Sequence, residues 1–203
     1  MENPEPGNLL LAVLPLHDVC LFPEASLSIL VARPAGLKAL EVATRTGRQV
    51  IALAQQDPTN LAPRPKDLHL TGTIASVAED MPLSDGTHRV ELDGLQRAKA
   101  LNLVGGGELL VSEVELLKEG DSEEEWGGAV EALARYLHAH SDLRSFLEEQ
   151  RRSKEPMAWV NLACQHLPIT STARQRLLES DAPARCLRIS RGLDALLRKE
   201  QGS

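Results

Sequence analysis

The stretch Leu14-Pro15-Leu16-His17-Asp18-Val19-Cys20-Leu21-Phe22-Pro23, followed at once by the apolar run Leu27 to Ala32, decides the fold. Pro15 and Pro23 lack an amide donor, so neither belongs in the middle of a central strand. Two buried strands, Leu9 to Leu16 and Leu27 to Ala32, are therefore expected on either side of a corner that crosses between them over Leu16 to Phe22. Beyond them, Pro34 stands where a first helical residue tolerates proline, Leu37, Leu40 and Ala43 recur on one face, and Gly47 closes the pattern. This predicts a helix over Ala35 to Thr46. Gln49 to Ala54 reads as a third strand, and Gln55 to Asp67, with its three prolines, as a surface loop too long for a hairpin.

From Leu68 onward the pattern becomes a meander. Leu70 to Ala78 leads into the turn Ser84-Asp85-Gly86-Thr87, after which Val90 and Leu92 alternate with Arg89, Glu91 and Asp93. Asp-Gly between alternating segments is a strong hairpin signal, because glycine takes positive φ freely. Asp93-Gly94 repeats the signal and predicts a second reversal. Arg97 to Leu103 follows, then Gly105-Gly106-Gly107 as a turn, then a last strand over Leu110 to Leu116.

After the acidic stretch around Gly120 the apolar period changes from two to about three and a half. Trp126, Val130, Leu133 and Leu137 make one helical stripe, with Gly127 and Gly128 weakening its first turn. A second helix is expected over Leu143 to Arg152. Pro156 opens a third, striped by Met157, Val160, Cys164 and Leu167. Thr170 or Ser171 caps a fourth running to about Ser180. Asp181 caps the last, whose stripe is Cys186, Ile189, Leu193, Leu196 and Leu197. The expected fold class is α+β: a flexible lead-in over 1–8, a β-rich unit with one helix over 9–118, an acidic linker over 119–125, and an α-helical bundle over 126–203.

Composition narrows function. Aromatic residues are 2% of the chain and the net charge is −7. Stacking platforms for single-stranded nucleic acid and a basic phosphate footprint are both disfavoured, so no nucleic-acid partner is expected. Cys20, Cys164 and Cys186 are odd in number and far apart, which fits a reducing cytoplasm rather than a disulfide framework. Glu2 and Glu5 stand where a signal peptide carries basic residues, and no apolar run approaches a membrane span.

Leu14 to Pro23 resembles the opening of the Lon protease N-terminal domain, the LON substrate-binding domain, in which Leu-Pro-Leu leads to Val, Phe and Pro before an apolar strand. Ala54-Gln-Gln-Asp57, Gly72-Thr-Ile74, Leu83-Ser-Asp-Gly86 and Leu92-Asp-Gly-Leu-Gln-Arg-Ala98 follow in that family's order. Leu167-Pro-Ile169 and Leu177-Leu-Glu-Ser-Asp181 are similar to segments of its helical half. Glu24 replaces a usual glycine, and His17 stands where arginine is common. The resemblance implies a PUA-like pseudo-barrel followed by a helical subdomain, which in full-length Lon recognises unfolded or tagged substrates and helps assemble the ring. ATP hydrolysis and peptide cleavage occur downstream there, so a stand-alone, non-catalytic, bacterial-type member is expected.

The residues themselves offer no catalytic machinery. No phosphate-binding G-x-x-x-x-G-K-S/T loop occurs, and Glu108 after the triple glycine would repel a phosphate. No G-x-S-x-G elbow occurs. His138 and His140, two apart on a helix, diverge too far to share a metal, and neither a Cys-x-x-Cys pair nor a His-Glu-x-x-His run is present. No cofactor and no metal are expected. The leading expectation is a protein that binds unfolded or tagged polypeptides, as an adaptor or modulator of ATP-dependent proteolysis with a protease as partner. Phe22, Pro23, Met81, Pro82 and Leu83 are the candidate contacts, being apolar groups in predicted turns. The alternative is a structural self-association module forming a homo-oligomer through the stripe that ends in Leu196 and Leu197.

Overall fold

The computed structural model of the chain describes residues 9–120, 123–140, 144–145 and 156–201. The lead-in over 1–8 and, apart from Arg144 and Ser145, the helix expected over Leu143 to Arg152 lie outside the described residues. Contacts divide the chain into two compact units, Met1–Leu117 and Lys118–Ser203.

The first unit is built on β1 (Leu9–Leu16), β2 (Ser26–Val31), α1 (Pro34–Arg45), β3 (Gln49–Ala54), β4 (Thr71–Pro82), β5 (His88–Ala100), β6 (Val104–Gly106) and β7 (Leu109–Leu116). The sheet order is β2-β5-β4-β3-β1-β7-β6, and β5 also pairs with β7. That extra pairing closes β5, β4, β3, β1 and β7 into a ring and leaves β2 and β6 as appended strands. The β1–β3 pair is parallel, with Val13 opposite Ile51, and α1 lies on the crossover that parallel strands require. Pro15 is accommodated in β1 because β7 pairs only with Leu9 to Ala12, so the proline has a neighbour on one side alone.

Period-two alternation sorts β1 and β3 between two cores. Ala12, Leu14, Leu16, Val50 and Ala52 join Ala39, Leu40 and Ala43 of α1 in one cluster. Leu11, Val13, Ile51 and Leu53 join Ile74, Ala98, Ala100, Leu110 and Val114, so all five ring strands feed the other. Strands buried on both faces read as continuous apolar runs, which is how Leu11 to Leu14 and Val50 to Ala54 look.

Asp93-Gly94 is not a second reversal. β5 runs unbroken from His88 to Ala100, and its register against β4 shifts between Ile74 and Ala75, leaving Leu95 as an extra residue. A bulge of this kind bends the strand. The first half of β5 pairs with β2 and its end with β7, from Ala98 opposite Leu116 to Ala100 opposite Val114. The glycine is required by packing: a Cβ on Gly94 would fall 2.1 Å from the Phe22 carbonyl oxygen.

The second unit holds α2 (Glu123–Ala139), α3 (Pro156–His166), α4 (Ser171–Leu178) and α5 (Ala182–Gln201). α2 starts before Trp126, so Gly127 and Gly128 lie within the helix. Its stripe buries Leu133 and Leu137 together with Ala129, Ala132 and Tyr136. α3 departs from the single stripe expected of it, since every residue from Met157 to Gln165 is buried. Thr170 accepts from the Ala173 amide at 3.2 Å and Asp181 from the Ala184 amide at 3.0 Å, as N-caps do. On α5, Cys186, Ile189 and Leu193 are buried, whereas Leu196 remains exposed at the end of the stripe.

Candidate functional site

The corner after β1 is fastened downward onto the sheet. The Thr73 hydroxyl donates to the Leu21 carbonyl at 2.6 Å, the Glu24 amide to the Gly94 carbonyl at 2.8 Å, and the Gly94 amide to the Ala25 carbonyl at 2.9 Å. These bonds carry Phe22 and Pro23 into the interior, where Phe22 has no exposed surface. Both were expected as surface contacts and are instead buried. Their burial follows from the corner lying over β4 and β5 instead of projecting from them. Glu24 occupies φ +60°, the left-handed conformation in which glycine is usual, so the turn keeps a glycine-type backbone despite its side chain.

The remaining candidates lie where expected, at the tip of the β4–β5 hairpin. Met81, Pro82 and Leu83 are exposed, and Leu83 exchanges backbone bonds with Thr87 and Gly86, which sits at φ +83°. Asp85 accepts from the Thr87 hydroxyl at 2.7 Å and its amide at 3.0 Å, and these two bonds hold its carboxyl below the usual range. At the base of the turn His88 Nδ1 meets Asp80 Oδ1 at 2.6 Å.

The register joins this tip to a residue the sequence reading passed over. Leu30 of β2 lies opposite Arg89 of β5, and Arg89 lies opposite Met81 of β4. Directly opposed residues share a face of a sheet, so Leu30, Arg89 and Met81 form one outward row, with the Arg89 guanidinium 3.6 Å from the Met81 sulfur. Leu30 is 68% exposed on a strand at one end of the sheet order. Counting by two from Ser26 and Ser28 would have found it, because all three belong to the polar face.

Beside Leu30 runs a groove of about 370 Å³ lined by the corner at His17 and Val19, β2 from Ile29, the start of α1, and Leu61, Ala62 and Pro63. Its far wall is the loop Gln55 to Asp67, which is internally braced. Arg33 donates to Gln55 Oε1 at 2.7 Å and to the Asn60 carbonyl at 3.0 Å, and Gln55 Nε2 donates to the same carbonyl at 2.9 Å. Asn60 Nδ2 and the Arg64 amide both donate to Asp67. Leu61, 74% exposed, is thus presented on a fixed loop beside the groove. Long loops held by their own side chains are common carriers of function. Among the described residues no group of three or more His, Cys, Asp or Glu side chains could hold a metal, and no helix is long and apolar enough to cross a membrane.

A barrel-like ring with an appended edge strand, joined to a helical unit, is the fold of Lon N-terminal domains. The N-terminal domain of a Mycobacterium avium complex Lon protease superposes with a TM-score of 0.73 at 18% identity, over 92% of this chain and 98% of that one. A Lon N-terminal domain protein from Xanthomonas campestris gives 0.61 at 23% identity, over 88% and 95%. The family model of the ATP-dependent protease La (LON) substrate-binding domain matches residues 11–195, and the chain belongs to that family. Lon protease 1 of Thermus thermophilus is 30% identical over 93% of this chain, and Lon protease of Escherichia coli strain K12 is 27% identical over 87%. In each case the match spans 24% of the relative's own length.

Proposed function

We propose that this chain binds extended or unfolded polypeptide through the β-rich unit, with Leu30, Met81, Pro82, Leu83 and Leu61 as the apolar contacts. The observation that carries the reading is the row of Leu30, Arg89 and Met81 beside the groove, with two of the most exposed leucines, Leu30 and Leu61, flanking it. An edge strand offers backbone donors and acceptors to an incoming segment, and neighbouring apolar groups supply affinity. Membership of the substrate-binding family supports the same ligand class. In this reading the protein is a cytoplasmic adaptor or modulator of ATP-dependent proteolysis, and breaks no bond itself.

Titration with a reduced and alkylated, permanently unfolded protein tests it. Leu30→Glu combined with Leu61→Glu should weaken binding about tenfold, whereas Leu116→Glu, at another exposed leucine, should leave it unchanged. Equal affinity of the double variant and the parent would defeat the assignment. Incubation with casein and ATP should yield no fragments.

A further inference from the structure

The helical unit carries an apolar groove of its own. It measures about 320 Å³ and is floored by Leu167, Ile169, Leu177, Ile189, Leu193 and Leu196, with Arg176 of α4 and Arg188 of α5 also lining it. Their charges are uncommitted: among the described residues neither side chain has a hydrogen-bond or ion-pair partner. Three other charged groups of α5 are taken up elsewhere: Arg185 is buried against Glu119, Asp194 pairs with Arg135, and Glu200 lies 3.4 Å from His140. Glu179 and Asp181 share a second, polar depression with the two arginines. There Glu179 accepts from Gln175 and Asp181 caps α5.

We propose that this groove docks a short apolar segment flanked by carboxylates, supplied by another protein. The apolar floor would take leucine-like side chains, and Arg176 and Arg188 would meet the flanking Asp or Glu, an arrangement in which charge complementarity selects the partner. A further feature fits an occupant. Gly192 lines the groove in the interior of α5, and a Cβ placed on it would meet no atom of the described residues within 4 Å. Among the described residues nothing demands glycine at a position where alanine suits a helix better. A partner's close approach would demand it.

Fluorescence anisotropy with a labelled synthetic peptide of alternating leucine pairs and glutamates, compared with its lysine counterpart, tests the proposal on the full chain. The acidic peptide should bind at least about tenfold tighter than the basic one. Arg176→Glu with Arg188→Glu should reverse that preference, Gly192→Trp should fill the groove and abolish binding, and Gly192→Ala, whose lone Cβ intrudes less, should weaken binding to an intermediate degree. Thermal melting of each variant establishes that it is folded, and the charge reversal, at two exposed positions, keeps the test alive should the tryptophan variant misfold. Absence of an acidic preference, or full binding by a folded Gly192→Trp variant, would overturn the proposal. So would light scattering that showed a dimer dissolved by Gly192→Trp, because the occupant would then be a second copy. Leu30→Glu with Leu61→Glu should leave acidic-peptide binding intact, which separates this site from the surface on the β-rich unit.

Discussion

The wholly buried guanidinium of Arg185 donates to Glu119 Oε2 at 3.0 Å and, with its other nitrogens, to Asn161 Oδ1 at 2.6 Å, the Leu177 carbonyl at 3.1 Å and the Ser180 carbonyl at 3.0 Å. One side chain of α5 thereby ties together α3, the end of α4 and the segment leading into α2. Removing the guanidinium leaves the Asn161, Leu177 and Ser180 acceptors without their donor and opens a cavity, at a combined cost of about 3 to 5 kcal/mol. Arg185→Ala should lower the unfolding free energy of the helical unit, read from urea denaturation, by that order, and Arg185→Lys should recover little, because a single ammonium cannot reproduce the planar fork. A loss within the scatter of ordinary surface substitutions would refute this account of the unit.

The corner makes two opposed predictions. Glu24 sits at φ +60°, which disfavours any side chain, so Glu24→Gly should stabilise the β-rich unit by up to about 1 kcal/mol. Gly94→Ala should do the reverse, since its Cβ would lie 2.1 Å from a backbone oxygen that the corner's bonds hold in place. A destabilisation of about 3 kcal/mol or more is expected, seen as a fall in melting temperature.

Asp85 and Asp57 each accept from a threonine hydroxyl and amide two residues on, and these bonds hold both carboxyls below the ordinary aspartate range. Depressed folded-state values contribute stability that is complete above the unfolded value and lost as pH falls through the folded one. Amide exchange at Thr87 and Thr59 should therefore stay protected at neutral pH. After allowance for the intrinsic pH dependence of exchange, protection should fade only below about pH 4. Asp85→Ala should abolish the pH dependence at Thr87 while leaving Thr59 unaffected.

Burial pushes the Cys164 thiol up to about 12, and Cys20 and Cys186 are buried as well. The thiolate is the reactive form. At pH 8 in native buffer, alkylation of Cys164 should proceed no faster than unfolding exposes it, and denaturant should release all three thiols together with the loss of structure. Rapid labelling of Cys164 in the folded protein would contradict its placement.

Most of the architecture could be read from residue order because each signal was local. Proline positions bounded β1 and opened α1, Asp85-Gly86 set the hairpin, and Thr170 and Asp181 marked helix starts. Asp93-Gly94 misled because the same dipeptide serves a tight turn or a bulge, and only the approach of the Phe22 carbonyl, distant in sequence, decides between them. Phe22 and Pro23 were misplaced for a related reason: a corner's exposure depends on the hydrogen bonds of Thr73 and Gly94, which no nearby residue announces. Met81, Pro82 and Leu83 were legible as an exposed turn. Their association with Leu30 was not, since it rests on the register of three strands.

Ring closure by β5 against β7 has a consequence for synthesis on the ribosome. β1 emerges first, yet its second neighbour is the last strand of the unit, whose register reaches Val114 opposite Leu9. Until that strand is made, the opening segment has β3 on one side and a bare apolar flank on the other. The nascent chain must carry this adhesive margin through most of the unit's translation, and a stop codon placed before Leu109 should yield a product that aggregates more than the parent chain.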